Sequence, residues 1–487
     1  MAAKNHAKVE FGDFQTPRDL AGRVCALVAT RLPEPRCIVE PTCGVGSFLV
    51  AAHEQFASAR HFVGVETNQE YLQKAALAFD GRAGDGVTLE LIHEDFFRVD
   101  WKAILSRIEG WLLVVGNPPW VTSAGVGALE GSNLPEKTNF QGLAGFDAVT
   151  GKSNFDISEW MCIRLLEQLP PGKAGFALLV KTAVARKVLL HAWRDGLPLA
   201  EPAIFTIDAK RHFDASVDAC LLVGQVAEGG EARCPVHAGL DGDDVVGVVG
   251  YEDGELLADI HARARTATLT AAAKARPKWR SGVKHDCAKV LELRPSAGGL
   301  INGFGEPVDV EHDFLFPLQK SSDVAGGRGD GGKRVILTQR GISQSTTALE
   351  TVAPQLWAYL QRHRALLDGR KSRIYRGRPR FSIFGVGPYT FAPWKVAISG
   401  LYKRLEFSLQ GPVDGKPVVF DDTVYFLAFE TRAEAELAHE LLCSDAAREF
   451  FESFIFWDAK RPITAGLLQR LSLEKLEGER SIKRAPS

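Results

Sequence analysis

Cys37-Ile38-Val39-Glu40-Pro41-Thr42-Cys43-Gly44-Val45-Gly46-Ser47-Phe48 is a short apolar run, then a glycine turn, then the opening of an amphipathic stretch. Four apolar residues bounded by a turn read as a buried strand, and Gly46 to Phe56 has helical spacing. Glycines at the turn let the backbone approach a ligand that any Cβ would obstruct. A strand that ends in a glycine loop and feeds a helix is the first half of a βαβ unit, and the pattern on either side decides whether the unit repeats.

It does repeat. Phe62 to Glu66, Thr88 to Ile92 and Trp111 to Val115 read as further buried strands, with helices over Asn68 to Phe79 and Asp100 to Ile108. Such alternation predicts an α/β domain on a parallel sheet, with ligands at the carboxyl ends of the strands. A helix over Ile157 to Leu169 and a strand over Ala174 to Lys181 follow, then a hairpin from Ala203 to Ile207 and Asp218 to Val226. The catalytic candidate is therefore residues 1–228. Residues 229–308, rich in Gly, Asp, Glu and Val at their start, read as a connecting region. Beyond Asp309 the rhythm changes to Gly-rich turns, aromatics and arginines, with a helix from Arg432 to Phe454, so residues 309–487 form a second, α+β domain. Ala325 to Gly332 reads as a mobile loop.

A chain of 487 residues exceeds one ordinary core, which agrees with two domains. Its 45% hydrophobic and 24% charged residues are those of a soluble protein, and no apolar run reaches the length of a membrane span, so a cytoplasmic protein is expected. The net charge of -2 excludes a globally basic nucleic-acid binder and leaves that role to local clusters. The eight cysteines are scattered without metal-ligand spacing, so reduced thiols and no metal are expected.

Each strand end carries a polar group. Glu66, about twenty residues past the glycine loop, can accept hydrogen bonds from both ribose hydroxyls of a nucleoside cofactor. His93-Glu94-Asp95-Phe96 ends the third strand, placing Asp95 to accept from an adenine amino group with Phe96 beside the ring. Either acid alone is an ordinary strand-end residue; a glycine loop, an acid and an acid at three successive strand ends are not. The loop lacks the GxGxxG of a dinucleotide site.

Gly116-Asn117-Pro118-Pro119-Trp120 ends the fourth strand. The plain reading is a rigid turn, since proline fixes φ. The chemical reading is that an adenine amine, its lone pair delocalised into the ring, needs two acceptors to draw it toward tetrahedral geometry: the Asn117 side-chain oxygen and the Pro118 carbonyl. Pro119 fixes that carbonyl, and Trp120 offers a face to an extruded base, worth about 1–3 kcal/mol.

With those residues in order, the chain resembles the gamma, amino-terminal-catalytic class of N6-adenine DNA methyltransferases. The Phe-x-Thr-Pro segment of that class is Phe14-Gln15-Thr16-Pro17, preceding the glycine loop, and Trp120 stands where Tyr or Phe is commoner. The resemblance implies a Rossmann-like class I methyltransferase domain with a mixed, mostly parallel sheet and S-adenosylmethionine as cofactor. Cofactor-site roles then fall on Phe14, Thr16, Pro17, Glu40, Pro41, Gly44, Gly46, Glu66, Asp95, Phe96 and Asn117, and catalytic roles on Asn117, Pro118, Pro119 and Trp120. Phe213, in the hairpin, is the aromatic the family places near the flipped base. The stretch Val121 to Ser153 is expected to order over substrate.

In the second domain Arg370, Lys371, Arg373, Arg376, Arg378 and Arg380 surround Tyr375 and read as a phosphate clamp. Segments there, among them Ala397 to Lys403 and Lys460 to Ile463, resemble the target-recognition region of restriction-modification methyltransferases, which adds Lys403, Arg404, Lys460 and Arg461 as DNA contacts. The expected partners are double-stranded DNA, with base flipping, and a separate restriction endonuclease; a monomer is expected. RNA adenine or a protein glutamine remains an alternative substrate, and a non-catalytic DNA-specificity subunit an alternative role.

Overall fold

The computed structural model describes residues 14–121, 156–272 and 276–484, apart from positions 83, 85, 328 and 330. The stretch expected to order over substrate lies, beyond Val121, outside the described residues. Two compact units divide the chain, Met1–Ile260 and His261–Ser487.

The first unit is built on one ten-stranded sheet. Its first five strands are β1 (Cys37–Glu40), β2 (His61–Glu66), β3 (Thr88–His93), β4 (Leu112–Gly116) and β5 (Ala174–Lys181). They pair in parallel in the order β5, β4, β1, β2, β3, with Cys37 opposite His61 on one side and Leu112 on the other. Every residue of β1 and β4 is buried, which is why both read as unbroken apolar runs: helices cover both faces of a parallel sheet. The helices are α1 (Arg18–Arg31), α2 (Ser47–Gln55), α3 (Gln69–Phe79), α4 (Trp101–Leu105), α5 (Ile157–Gln168) and α6 (Thr182–Asp195). α3 starts where Asn68 Oδ1 accepts the amides of Glu70 and Tyr71, and α5 where the Asp156 side chain accepts that of Ser158.

The other half of the sheet is mixed. β6 (Ala200–Ile207) and β7 (Ala219–Val226) form the expected hairpin, with β7 antiparallel to both β6 and β5 and the short α7 (Ala209–Phe213) at its tip. β8 (Arg233–His237), β9 (Val245–Glu252) and β10 (Glu255–Leu257) then extend the sheet beyond β6. The stretch expected to be connecting region is thus divided: residues 233–257 finish the first sheet, and those from His261 onward belong to the second unit. Strands β1 to β5 all end at one edge, so the loops after Glu40, Glu66, His93, Gly116 and Lys181 converge there.

The second unit holds a six-stranded sheet around Leu315–Gln319 and a four-stranded antiparallel sheet in which Trp394–Ser399 pairs with Val424–Phe429 and Phe407–Gln410. The helix expected from Arg432 to Phe454 is two, Arg432–Leu442 and Asp445–Glu452, because Ser444 leaves helical geometry and its Oγ caps the second by accepting the Ala447 amide. Leu441, Phe450 and Phe451 from this pair pack on Val396, Ile398 and Leu427 of the sheet. Among the described residues no helix is long and apolar enough to cross a membrane.

Candidate active site

A cavity of about 680 Å³ opens at the sheet edge where β1 to β4 end. At its floor is Glu40, 3% exposed, whose Oε2 accepts the Leu49 amide at 3.1 Å. Burial holds this carboxyl well above the usual carboxylate range, the neighbouring charge of Glu66 pushes the same way, and the amides of Phe48 and Leu49 at the start of α2 oppose both.

The glycine loop divides its labour. Gly44 has φ +51°, in the left-handed region; its amide donates to Glu66 Oε2 at 2.9 Å, and a Cβ there would lie 2.5 Å from Gln15 Oε1. Gly46, φ +80°, faces the other way: a Cβ would meet Ala75 of α3 at 3.0 Å, so this glycine serves helix packing and does not line the cavity. Pro17, at the head of α1, does not line it either. The cavity is thus lined without these two expected cofactor contacts. The segment before α1 is tied onto the loop by Val45 N donating to Gln15 Oε1 at 3.2 Å and Ser47 Oγ donating to the Thr16 carbonyl at 2.8 Å.

The two acids are aimed by local main chain. Glu66 Oε1 accepts from Asn68 N at 2.9 Å and from Thr67 Oγ1 at 3.2 Å, which fixes the carboxylate, while Oε2, with Gly44 N as its one donor, keeps acceptor capacity. Asp95 Oδ1 accepts the Phe97 amide at 2.9 Å. Phe96 is 4% exposed, packed on Trp101 at 5.1 Å, and still contributes to the wall. The cavity brings together Glu40, Pro41, Gly44, Glu66, Asp95, Phe96, Asn117 and Pro119 from four strand ends with Phe14 and Thr16 from the segment before α1. It also recruits Gln15, Tyr71, Arg98 and Met161. Gln15 lies inside the segment quoted for its neighbours, whereas Met161 comes from α5 and nothing in its local sequence marks it.

The tetrapeptide after β4 holds its side-chain amide in one orientation. Asn117 Nδ2 donates to the Phe14 carbonyl at 3.0 Å, and the Asn117 main-chain carbonyl accepts Thr42 Oγ1 at 3.4 Å. That leaves Asn117 Oδ1 buried with no hydrogen-bond partner among the described residues. Nothing among the described residues donates to the Pro118 carbonyl either.

Trp120 departs from expectation. Its indole is 5% exposed and does not line the cavity; Nε1 donates to the Leu179 carbonyl at 3.1 Å, because a buried indole N–H needs a partner. Phe14 lies 5.6 Å from it and Phe213 5.0 Å, with Phe14 and Phe213 6.1 Å apart. In this conformation the face expected to receive a base is covered by those two rings.

Of the cations in the second unit, Arg370 is turned inward. Its guanidinium donates to the carbonyls of Leu367, His285 and Ser382 and stacks over Tyr375 at 3.8 Å, so three of its five N–H donors are spent on main chain. Arg380 pairs with Asp368. Lys371, Arg373, Arg376, Arg378, Lys403, Lys460 and Arg461 are exposed.

Residues 1–184 match the N-6 DNA methylase family. The type II methyltransferase M.NspV of Nostoc sp. strain PCC 7524 is 45% identical over 479 residues, 96% of this chain and 97% of its own. The type II methyltransferase M.CvrRI of Paramecium bursaria Chlorella virus XZ-6E is 33% identical over 111 residues, 23% of this chain and 25% of its own. In three dimensions the chain is similar to the type IIL restriction-modification enzyme MmeI, solved in complex with DNA, with a TM-score of 0.51 at 13% identity over 96% of this chain. The chain spans 65% of that longer enzyme, and at that identity the likeness speaks for fold alone.

Proposed function

Since this chain belongs to the N6-adenine DNA methyltransferases of type II restriction-modification systems, we propose that Asn117 Oδ1 and the Pro118 carbonyl are the acceptors that grip the target amine. The observation that carries this reading is the buried Asn117 Oδ1, unpartnered among the described residues, on a residue that lines the same cavity as Glu66 and Asp95. A buried acceptor without a donor costs roughly 1–3 kcal/mol, which an entering N–H recovers.

The donor set fits S-adenosylmethionine, which when bound supplies an electrophilic methyl group. Glu66, aimed by Gly44, Thr67 and Asn68, accepts from the ribose hydroxyls. Asp95 accepts from an adenine amino group, and Phe96 covers the ring. Gly44 keeps the loop open where a Cβ would intrude, and Thr16 closes the cavity from the amino-terminal side. Asn117 and Pro118 each take one N–H of the target amine. As positive charge grows on that nitrogen during transfer, the two fixed oxygens stabilise it without reorganising.

The target nitrogen is paired and stacked in duplex DNA, so the base leaves the helix to react. It takes the room that the Phe14 ring holds against Trp120 and Phe213. The exposed cations Lys371, Arg373, Arg376, Arg378, Lys403, Lys460 and Arg461 hold the flanking phosphates and offset the cost of extrusion. The enzyme works in the cytoplasm as a monomer, alongside a separate restriction endonuclease.

Replacing Asn117 by Ala tests the assignment. Methyl transfer to unmethylated duplex DNA is expected to fall by at least about 100-fold while S-adenosylmethionine affinity, measured by calorimetry, stays within a few-fold. Retained transfer would remove Asn117 from the reaction.

A further inference from the structure

We propose that Lys181 is a positioning residue for the Asn117–Trp120 turn, acting with Asp156 as a charged brace; this rests on that turn being the one that grips the target amine. Proline has no N–H, so Pro118 and Pro119 cannot donate to a neighbouring strand, and among the described residues nothing donates to their carbonyls, so the turn is held by bonds made at its two ends. At the upstream end these are the Asn117 contacts to Phe14 and Thr42.

At the downstream end both anchors come from β5. The Leu179 carbonyl takes the indole N–H of Trp120, and two residues on, Lys181 Nζ donates to the Trp120 main-chain carbonyl at 2.9 Å. The same ammonium donates to Asp156 Oδ2 at 2.6 Å, with the lysine side chain 22% exposed and the aspartate 7%. Asp156 is itself fixed: Oδ1 accepts from Ser158 Oγ at 2.5 Å and from the Ser158 amide at 3.2 Å. The start of α5 is also tied to the residue after the turn, Ile157 N donating to the Val121 carbonyl at 2.9 Å.

Lys181 does not line the cavity, and the hydrogen bonds it makes are to the main chain of the turn and to Asp156, so it is placed to act through the turn. An ammonium has three donors, and the two used here hold the end of the turn against the head of α5. The direction of the Pro118 carbonyl, two residues upstream of the anchored Trp120 carbonyl, is therefore set in part by a side chain from another strand. Releasing it leaves the acceptors in place chemically but lets the turn drift, and misplacement of about 1 Å costs on the order of 100-fold in rate.

Lys181→Met alone would strand the buried Asp156 carboxylate and could simply unfold this corner, so the informative variant is Lys181→Met/Asp156→Asn, with Lys181→Arg as the conservative control. Single-turnover methyl transfer to unmethylated genomic DNA, calorimetric affinity for S-adenosylmethionine and the thermal midpoint are measured for both variants and for the wild type. The expected result is a rate lowered about 30- to 100-fold in the double variant, with cofactor affinity within about threefold and the midpoint nearly unchanged, and substantial recovery of rate in Lys181→Arg. A double variant with the wild-type rate overturns the proposal. So does a rate loss that tracks equal losses of cofactor affinity and midpoint, which is what a merely structural role would give. A wild-type chain that transfers no methyl group to DNA sinks the assignment of the turn itself, and this inference with it.

Discussion

Among single residues, the chemistry turns on which polar atoms are satisfied inside the protein and which are held out. Asn117 spends its amide N–H on Phe14 and leaves its oxygen unpaired among the described residues, and Glu66 is aimed by two donors of its own loop and one of the glycine loop. Glu66→Ala is therefore expected to weaken S-adenosylmethionine binding by roughly 10- to 100-fold, the worth of a hydrogen-bonded pair with a charged acceptor, without moving the target-base chemistry. Calorimetry checks this, and unchanged affinity would take Glu66 off the ribose. Glu66, Asp95 and Asn117 are legible in the sequence because each sits at or just beyond the end of a strand of the parallel half-sheet, where chain order fixes position. The covering of Trp120 is not legible, since it depends on the Leu179 carbonyl 59 residues away and on Phe14 and Phe213 arriving from opposite directions. The inward turn of Arg370 is hidden for the same reason: its acceptors include His285, 85 residues distant.

Among the elements, strands β1, β2, β4 and β5 can be read from sequence because burial, complete in β1 and β4, leaves a nearly uninterrupted apolar run, whereas β3, expected to be buried, lies at the sheet edge with every residue at least partly exposed. The strands toward the opposite edge cannot. In β9 the first residues, Val245 and Val246, are 51% and 64% exposed, and the surrounding Gly and Asp make the stretch look like connection. The break between the two helices at Ser444 is marked only by one capping hydroxyl. The strand Trp394–Ser399 carries a different surprise, Lys395, 1% exposed and donating to the Ala392 carbonyl at 2.6 Å. Burial pushes its pKa down to about 7, against the opposing charge of Glu430. The unfolded chain keeps this proton into the ordinary lysine range while the folded chain gives it up near 7, so between those values unfolding takes up a proton and stability rises with pH. Lys395→Met is expected to remove a slope of up to about 1.4 kcal/mol per pH unit over that window. Denaturant titrations at several pH values would show it, and parallel curves for the two proteins would contradict it.

For the whole molecule, a net charge of -2 gives no general attraction for DNA, so binding depends on where the cations stand. Arg373, Arg376 and Arg378 are exposed on one short segment of the second unit. Neutralising all three is expected to weaken duplex binding and to reduce the slope of log K against log salt by about 0.9 for each phosphate no longer neutralised. An unchanged slope would remove them from the interface. The division into two units places the whole cavity in Met1–Ile260 and the exposed Lys371, Arg373, Arg376, Arg378, Lys403, Lys460 and Arg461 in His261–Ser487. Whether the turn after β4 presents two oxygens to an adenine amine is decided most sharply by base-resolved methylation mapping of DNA from a methylation-free host expressing the chain. N6-methyladenine is expected at one recurrent sequence, and it is expected to disappear when Asn117 is replaced by Ala. Methylation on cytosine N4, or N6-methyladenine that persists in the Asn117→Ala variant, would contradict the assignment of those two acceptors.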